Sequence, residues 1–416
     1  MKIAVWHNLP SGGAKRALWN HVSGLLKLGH AMEAWCPETA DKNYLPLSTL
    51  CPEHSLPLQP SPYKKAPKLF GWVADARQMR ARIAAMRTHT LAAAAEIDRG
   101  GFDIVLVNSC VNLIVSPIGR YLKTPRVLYL QEPNRQYYEA LDESPWAGPP
   151  PRPEEASASI ARLTLNSLKR QHGRLPMREE YDNIRHYDRV LANSFFSRES
   201  ILRAYGQESE VCYLGVDTDF FKPTNEAIEK YVIGLGSLNR HKGAKLAIQA
   251  LALVPPAQRP KLLWIGNYAG DTNAAELAGL AKQAGVELEV KIMVKDAELI
   301  SCLSRATAMI YSSRLEPFGL APLEANACGT PVIALAEGGV RESIVPGENG
   351  LLAPNARPET VAAAIGQILT NPQLAAQLRS RARAAVLARW KNSDAVERLE
   401  AALRNTLESI AARRPN

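Results

Sequence analysis

The stretch RLEPFGLAPLEANACGTPVIA, residues 314–334, places Glu316 and Glu324 on either side of a Pro-Phe-Gly loop and ends in Gly-Thr-Pro before a β-branched run. Just upstream, TAMIYSS (307–313) reads as a buried strand, so the segment is a strand, a loop and a helix opening near Leu320. Pro322 is tolerated there because the first-turn N–H groups of a helix have no intrahelical partner. Glu316 then belongs to the loop, and Glu324 lies inside the helix. The amides of Phe318, Gly319 and Leu320, with the positive end of the helix dipole, make an anion site between the two carboxylates.

Outward from this segment the same alternation recurs. KIAVWHN, AMEAWC, FDIVLVN, RVLYLQ and RVLANS read as strands separated by Ala/Leu-rich helical stretches, the first over about 14–28. The pattern restarts after GVDTDFFKP (215–223), with strands at YVIGLGSL, KLLWIGN, VELEVKIM, TAMIYSS and TPVIAL. Strand–helix alternation means parallel sheets covered by helices. The fold class is therefore α/β, with two doubly wound Rossmann-like domains, residues 1–214 and 215–391, and with 217–223 as the linker. The final helical stretch, about 392–416, has apolar residues at helical spacing and is expected to pack back on the first domain. Ligands are expected in a cleft between the two sheets, at the carboxyl ends of their strands.

A chain of 416 residues with 46% hydrophobic content can bury two cores of that size. Its six cysteines lack C-x-x-C spacing and histidine partners, so they read as reduced core thiols of a cytoplasmic protein rather than as disulfides or a zinc site. The N-terminus runs straight into a strand, and no segment has the ~18 apolar residues of a membrane span. The net charge of +9 favours anionic partners. Two irregular regions interrupt the first domain: a Pro-rich loop at 143–155, and a basic, partly aromatic stretch at 61–99 that reads first as a solvated basic helix and second as a face for an anionic membrane surface.

A sugar nucleotide fits the 314–334 segment, with Glu324 accepting from ribose hydroxyls, the amides taking the diphosphate and Glu316 facing the donor sugar. EPFGLAPLEANACGTPVIALAEGGVRESIVPGENGLLAP (316–354) resembles the signature block of the family 4 retaining glycosyltransferases with the GT-B fold. PSGGAKRAL, DRVLANSFFSRESILRAYG, LGVDTDFFKP and GLGSLNRHKG resemble the same family in the expected order, and the similarity thins at about 40–100 and 140–185. The resemblance implies two Rossmann-like domains facing across a cleft. It also implies a retaining hexosyltransferase that moves a sugar from a nucleotide-diphosphate donor to a hydroxyl of a glycan or lipid-linked glycan. No metal, no other cofactor and no nucleic acid partner are expected, in keeping with a sequence read as lacking a paired-aspartate motif of the D-x-D kind. The expected place is the cytoplasm, on the inner face of the membrane. A sugar-nucleotide-binding partner with little activity and a sugar-nucleotide epimerase are the alternatives.

Within that resemblance Lys242, at the start of a helix, and Arg240 are assigned to the leaving diphosphate, and Glu316 to orienting the donor sugar. Ser237 stands where relatives carry an arginine, which makes Arg240 its substitute. Gly12 and Gly13 let the backbone approach the donor closely. Lys15 and Arg16 beside them read equally as solvated surface, and the second glycine pair, 338–339, as ligand contact or plain turn. Gln131 stands where many relatives place a histidine near the donor sugar, so charge or proton handling by an imidazole is absent there.

Overall fold

The computed structural model describes residues 1–59, 71–138, 174–266 and 273–413. The Pro-rich 143–155 and the first part of 61–99 lie outside the described residues. The chain divides into two compact units, 1–212 together with 398–416, and 213–397.

In the first unit seven strands form one parallel sheet in the order β3-β2-β1-β4-β5-β6-β7. They are β1 Lys2–Asn8, β2 Ala31–Pro37, β3 Glu53–Leu56, β4 Ile104–Cys110, β5 Arg126–Tyr129, β6 Arg189–Ala192 and β7 Glu210–Val211. β1, β2 and β4 are near-continuous apolar runs because both faces of a parallel sheet are covered. One face carries Trp6, Val105, Val107 and Leu128 against the helix Gly71–Arg99 and the helical residues 174–184. The other face is covered by the helix Gly13–Lys27, whose Leu18, Val22 and Leu25 are fully buried.

The second unit has six parallel strands, β8 Tyr231–Leu235, β9 Lys261–Gly266, β10 Leu288–Ile292, β11 Ala308–Tyr311, β12 Val332–Leu335 and β13 Gly350–Ala353. Their order is β10-β9-β8-β11-β12-β13, all pairs parallel. Both sheets are doubly wound, and in each the strand order reverses beside the first strand of the unit, so the switch points lie at β1/β4 and β8/β11.

Three strands were not expected. β3 (EHSL) is a short, polar edge strand set between prolines, β7 has two residues, and β13 is only GLLA. Each takes its conformation from a long neighbour rather than from its own pattern. Residues 217–223 are not a free linker: Phe221 is 1% exposed within the second unit, and Arg383 donates to the carbonyls of Thr218, Phe221 and Ala327. The helix Asn392–Arg413 contributes its first residues to the second unit and the rest to the first, where Glu400 meets His30 at 3.0 Å.

A buried carboxyl ties several parts of the first unit together. Glu180, 1% exposed, accepts from the Ile114 amide at 2.8 Å and from the Tyr205 hydroxyl at 3.0 Å. Burial pushes its pKa up to about 7, against the downward pull of those two donors. Its folded pKa exceeds the unfolded one, so its stabilising contribution is fully present below about pH 4.5 and is lost as pH rises through about 7. Wild type is therefore expected to lose thermal stability across that window, by a few kcal/mol at most. Glu180→Gln, which keeps an acceptor for Ile114, should flatten the curve in Tm measurements against pH. An unchanged slope in the variant would remove Glu180 as its source.

Candidate functional site

Where β11 ends, the chain turns through 314–319 into the helix Leu320–Ala327. Leu315 is held at φ 45°, a conformation non-glycine residues adopt only when their surroundings impose it. Glu337 imposes it: one carboxylate oxygen accepts from the Leu315 amide at 3.1 Å and from Arg314 Nε at 2.6 Å. Gly338, at φ 69°, lies so close to the loop that a Cβ there would come within 2.5 Å of the Glu316 carbonyl oxygen. The Gly339 amide then donates to that same oxygen at 2.7 Å. The second glycine pair therefore serves a turn packed on the 314–316 backbone, and the amide of Gly339 is taken up there.

Lys242 reaches the loop from the end of β8. It does not open the helix as expected. Asn239 Oδ1 accepts from the Lys242 amide at 3.1 Å and closes a 3-10 turn, Arg240–Lys242, and Gly243 at φ 75° separates that turn from the helix Ala244–Ala252. Gly243 is pressed against the Ser312 carbonyl with no room for a Cβ, and the Ser312 hydroxyl donates back to the Gly243 carbonyl at 2.8 Å. The Arg314 amide donates to the His241 carbonyl at 3.0 Å. The Lys242 stem runs over Gly236, where a Cβ would come within 3.1 Å of it. Its ammonium donates to Glu316 Oε2 at 2.9 Å, and the Ser313 hydroxyl donates to the same oxygen at 2.6 Å. Arg240 stands exposed at the start of the turn.

Phe318 is 2% exposed, and Gly319, at φ 92°, begins the helix without a side-chain cap or an acidic residue in the first turn. First-turn amides have no intrahelical acceptor, so this end of the helix is suited to an anion. Glu324 lies in the second turn and is 7% exposed. The structure thus brings together Lys242, Glu316, Phe318, Gly319 and Leu320, with Arg240 at the edge, on the carboxyl ends of β8 and β11 at the switch point of their sheet. Asp217-Thr218-Asp219 has D-x-D spacing after all, but the Asp217 carboxylate accepts from the amides of Asp219 and Phe220, each at 3.0 Å, and so caps a turn.

Gly12, Gly13 and Gln131 belong to the other unit. Gly12, at φ 140°, begins the helix Gly13–Lys27, again without a side-chain cap or an acidic first turn. Gln131 follows β5 and is half-buried; the neighbouring Glu132 and Arg135 pair with each other at 3.5 Å. Lys15 is no surface residue: it is fully buried beneath the glycine turn, with its ammonium 3.5 Å from His7 Nε2. His7 in turn meets Glu53 at 3.2 Å, and Cys36 Sγ donates to the same carboxylate oxygen at 3.7 Å. Burial lowers the pKa values of both Lys15 and His7. Burial would raise that of Glu53, yet the bond from His7 and the charge of Lys15 bring it down to about 2. The donor atoms of His7, Cys36 and Glu53 lie within 4.8 Å of one another, a set that suits a borderline divalent cation, but the Lys15 ammonium already balances the carboxylate. The one sequence signal for this cluster was a lysine inside the first turn of an apolar helix. All six cysteines are free and buried.

Residues 216–385 match the glycosyl transferases group 1 family. D-inositol 3-phosphate glycosyltransferase 1 of Catenulispora acidiphila is 30% identical over 244 residues, 53% of this chain and 58% of that one. The D-inositol 3-phosphate glycosyltransferase of Acidothermus cellulolyticus is 32% identical over 237 residues, 51% and 53% of the two chains. This chain thus matches little more than half the length of these curated relatives. Among solved structures, Anabaena Alr3699/HepE in complex with UDP and glucose superposes with a TM-score of 0.71 at 20% identity, covering 97% of this chain and 99% of that one. Sucrose-phosphate synthase of Thermosynechococcus elongatus superposes with a TM-score of 0.72 at 20% identity, covering 98% and 100%. Those likenesses establish the fold, two Rossmann-like α/β units of the GT-B class. The match over 216–385 is to the glycosyl transferases group 1 family, and the Lys242–Glu316 site lies inside the matched residues.

Proposed function

We propose that the chain is a retaining glycosyltransferase that moves a sugar, most simply a hexose, from a nucleotide-diphosphate donor to a hydroxyl of a glycan or lipid-linked acceptor. The observation that carries the proposal is the Lys242–Glu316 pair beside the uncapped start of the helix Leu320–Ala327. A diphosphate on the amides of Phe318–Leu320 lies where the helix dipole and the Lys242 ammonium both favour negative charge. An ammonium carries three donors, so Lys242 can bridge Glu316 and a phosphate oxygen, with Arg240 at the outer edge. Glu324 takes the ribose hydroxyls and Glu316 the hydroxyls of the donor sugar. The crystallised complex of HepE with UDP and glucose supports a uridine nucleotide as the first donor to try.

In the reaction the bond from the anomeric carbon to the phosphate oxygen breaks, and a bond to the acceptor oxygen forms on the same face. The acceptor proton passes to the departing phosphate oxygen, and a nucleoside diphosphate leaves. Charge grows on the phosphates toward the transition state, which is where a fixed ammonium and fixed amides contribute most. The proposal assigns this stabilisation to Lys242, Arg240 and the helix start, and asks for no divalent cation. Among the described residues no helix is long and apolar enough to cross a membrane. On the helix Gly71–Arg99, Arg77, Arg80 and Leu91 are exposed, which supports peripheral contact with an anionic membrane on its cytoplasmic face.

The two sides of the site should respond differently to substitution. Glu324→Ala is expected to weaken binding of the free nucleoside diphosphate by about 1.5–3 kcal/mol in calorimetry, because a charged acceptor is lost. Lys242→Ala should depress kcat more than donor affinity, and Arg240→Ala should do so less. Full affinity in the first variant and full turnover in the other two would remove the diphosphate from this loop. Gln131 favours a second reading, a nucleotide-sugar-binding protein with little turnover. Donor hydrolysis by wild type and by Gln131→His separates the two, since activity confined to Gln131→His would support the binding protein. For the membrane contact, co-sedimentation with acidic liposomes at low salt should fall when Arg77 and Arg80 are changed to Glu; no binding by wild type would rule it out.

A further inference from the structure

Phe318, in the middle of the loop, is held by two rings from distant parts of the second unit. Tyr213 lies 6.1 Å from it between centroids and Trp390 5.6 Å, and these two meet edge-on at 5.2 Å and 88°. Tyr213 is the first residue of that unit, and Trp390 ends the helix Pro372–Arg389 just before the helix that returns to the first unit. Both lie on segments by which the chain passes between units.

The backbones of those segments are joined. The Val216 amide donates to the Trp390 carbonyl at 2.9 Å, and the Asn392 amide donates to the Val216 carbonyl at 2.9 Å. Gly215 is set against the Lys391 carbonyl with no room for a Cβ. Tyr213 also grips the loop by a second route: its hydroxyl donates to the Glu342 carboxylate at 2.8 Å. Glu342 belongs to the short helix Val340–Ser343, which begins directly after Gly339, whose amide holds the Glu316 carbonyl. Trp390 is 6% exposed, and its indole N–H is buried without an acceptor among the described residues. What this position supplies is therefore the shape of a ring and not a hydrogen bond.

We infer that Tyr213 and Trp390 are positioning residues for a nucleoside diphosphate: they fix Phe318, and occupancy of the Phe318–Leu320 amides is transmitted through the rings to the joined backbone at 215–216 and 390–392. The inference rests on the loop being the diphosphate site. Trp390 meets Phe318 edge-on, a directional contact, and Tyr213 is tilted against Phe318 while packing edge-on against Trp390, so a shift of Phe318 disturbs both rings. Tightening the loop on a phosphate should in turn suppress local opening of the Val216 and Asn392 amides.

The test is amide hydrogen exchange with UDP and GDP on the full chain, alongside calorimetry, for wild type, Trp390→Leu, Trp390→Phe and Tyr213→Phe. Nucleotide should slow exchange at Val216 and Asn392 in wild type and in Trp390→Phe, which keeps a ring. In Trp390→Leu the slowing should vanish and affinity fall about tenfold, the equivalent of one lost interaction. Tyr213→Phe, which keeps the ring and removes the bond to Glu342, should weaken binding by a smaller factor and keeps the test open if the leucine variant fails to fold. Binding by wild type with no change at these two amides would overturn the inference and leave the donor site standing. No binding of either nucleotide by wild type would overturn the donor-site reading and the inference with it.

Discussion

Gly338 lies against the backbone of Leu315 and Glu316 at a distance that admits no side chain. Much of the candidate site depends on that approach. Because Gly338 is bare, Glu337 can accept from Arg314 and Leu315 on one side while the Gly339 amide holds the Glu316 carbonyl on the other. Leu315 is thereby kept at positive φ, Glu316 is aimed back at Lys242, and the chain enters the next helix through Gly319 with its first amides uncapped. Strain at one residue is tolerated where neighbours over-determine it, and such places are commonly functional. Gly243 repeats the arrangement from the other side, pressed on Ser312 so that the Lys242 turn and the loop share hydrogen bonds.

Both units use the same elementary device in different ways. Each has a helix that starts on a glycine at positive φ, without a side-chain cap and without an acid in its first turn. In the second unit the lysine near that start is partly exposed and paired with a carboxylate of the loop itself. In the first, Lys15 is fully buried and answered through His7 by Glu53, whose pKa is held near 2 by those partners despite its burial. Removing one partner of a buried charge pair leaves the other uncompensated, so loss of Glu53 or Lys15 would destabilise the helix start and strand that carry them.

What the sequence disclosed followed from pattern strength. Long apolar runs such as KIAVWHN and FDIVLVN, and the amphipathic helices between them, were legible because a buried parallel strand and a covering helix each impose their own period. β3 and β13 were not, since four residues carry no period and their pairing is decided by the neighbouring strand. In the site, the loop and helix start around Phe318–Leu320 could be read from a Gly–Pro pattern after a strand. That Lys15 is buried and that Glu337 is the acceptor holding Leu315 depended on contacts between residues far apart in the chain, whereas the 3-10 turn at Lys242 is closed locally by the Asn239 side chain. The D-x-D spacing at Asp217 and Asp219 carries no site, because the Asp217 carboxylate is used locally by two amides.

In the proposed reaction the Lys242–Glu316 loop promotes sugar transfer with retention. The most direct measurement is proton NMR of the purified chain with UDP- and GDP-sugars, in the presence of a chelator, following the anomeric signal of the donor and of the first product. Release of nucleoside diphosphate from at least one donor, and a product with the donor's own anomeric configuration, are expected. A product of opposite configuration, or donor that binds and is never consumed with or without divalent cations, would contradict the proposed reaction.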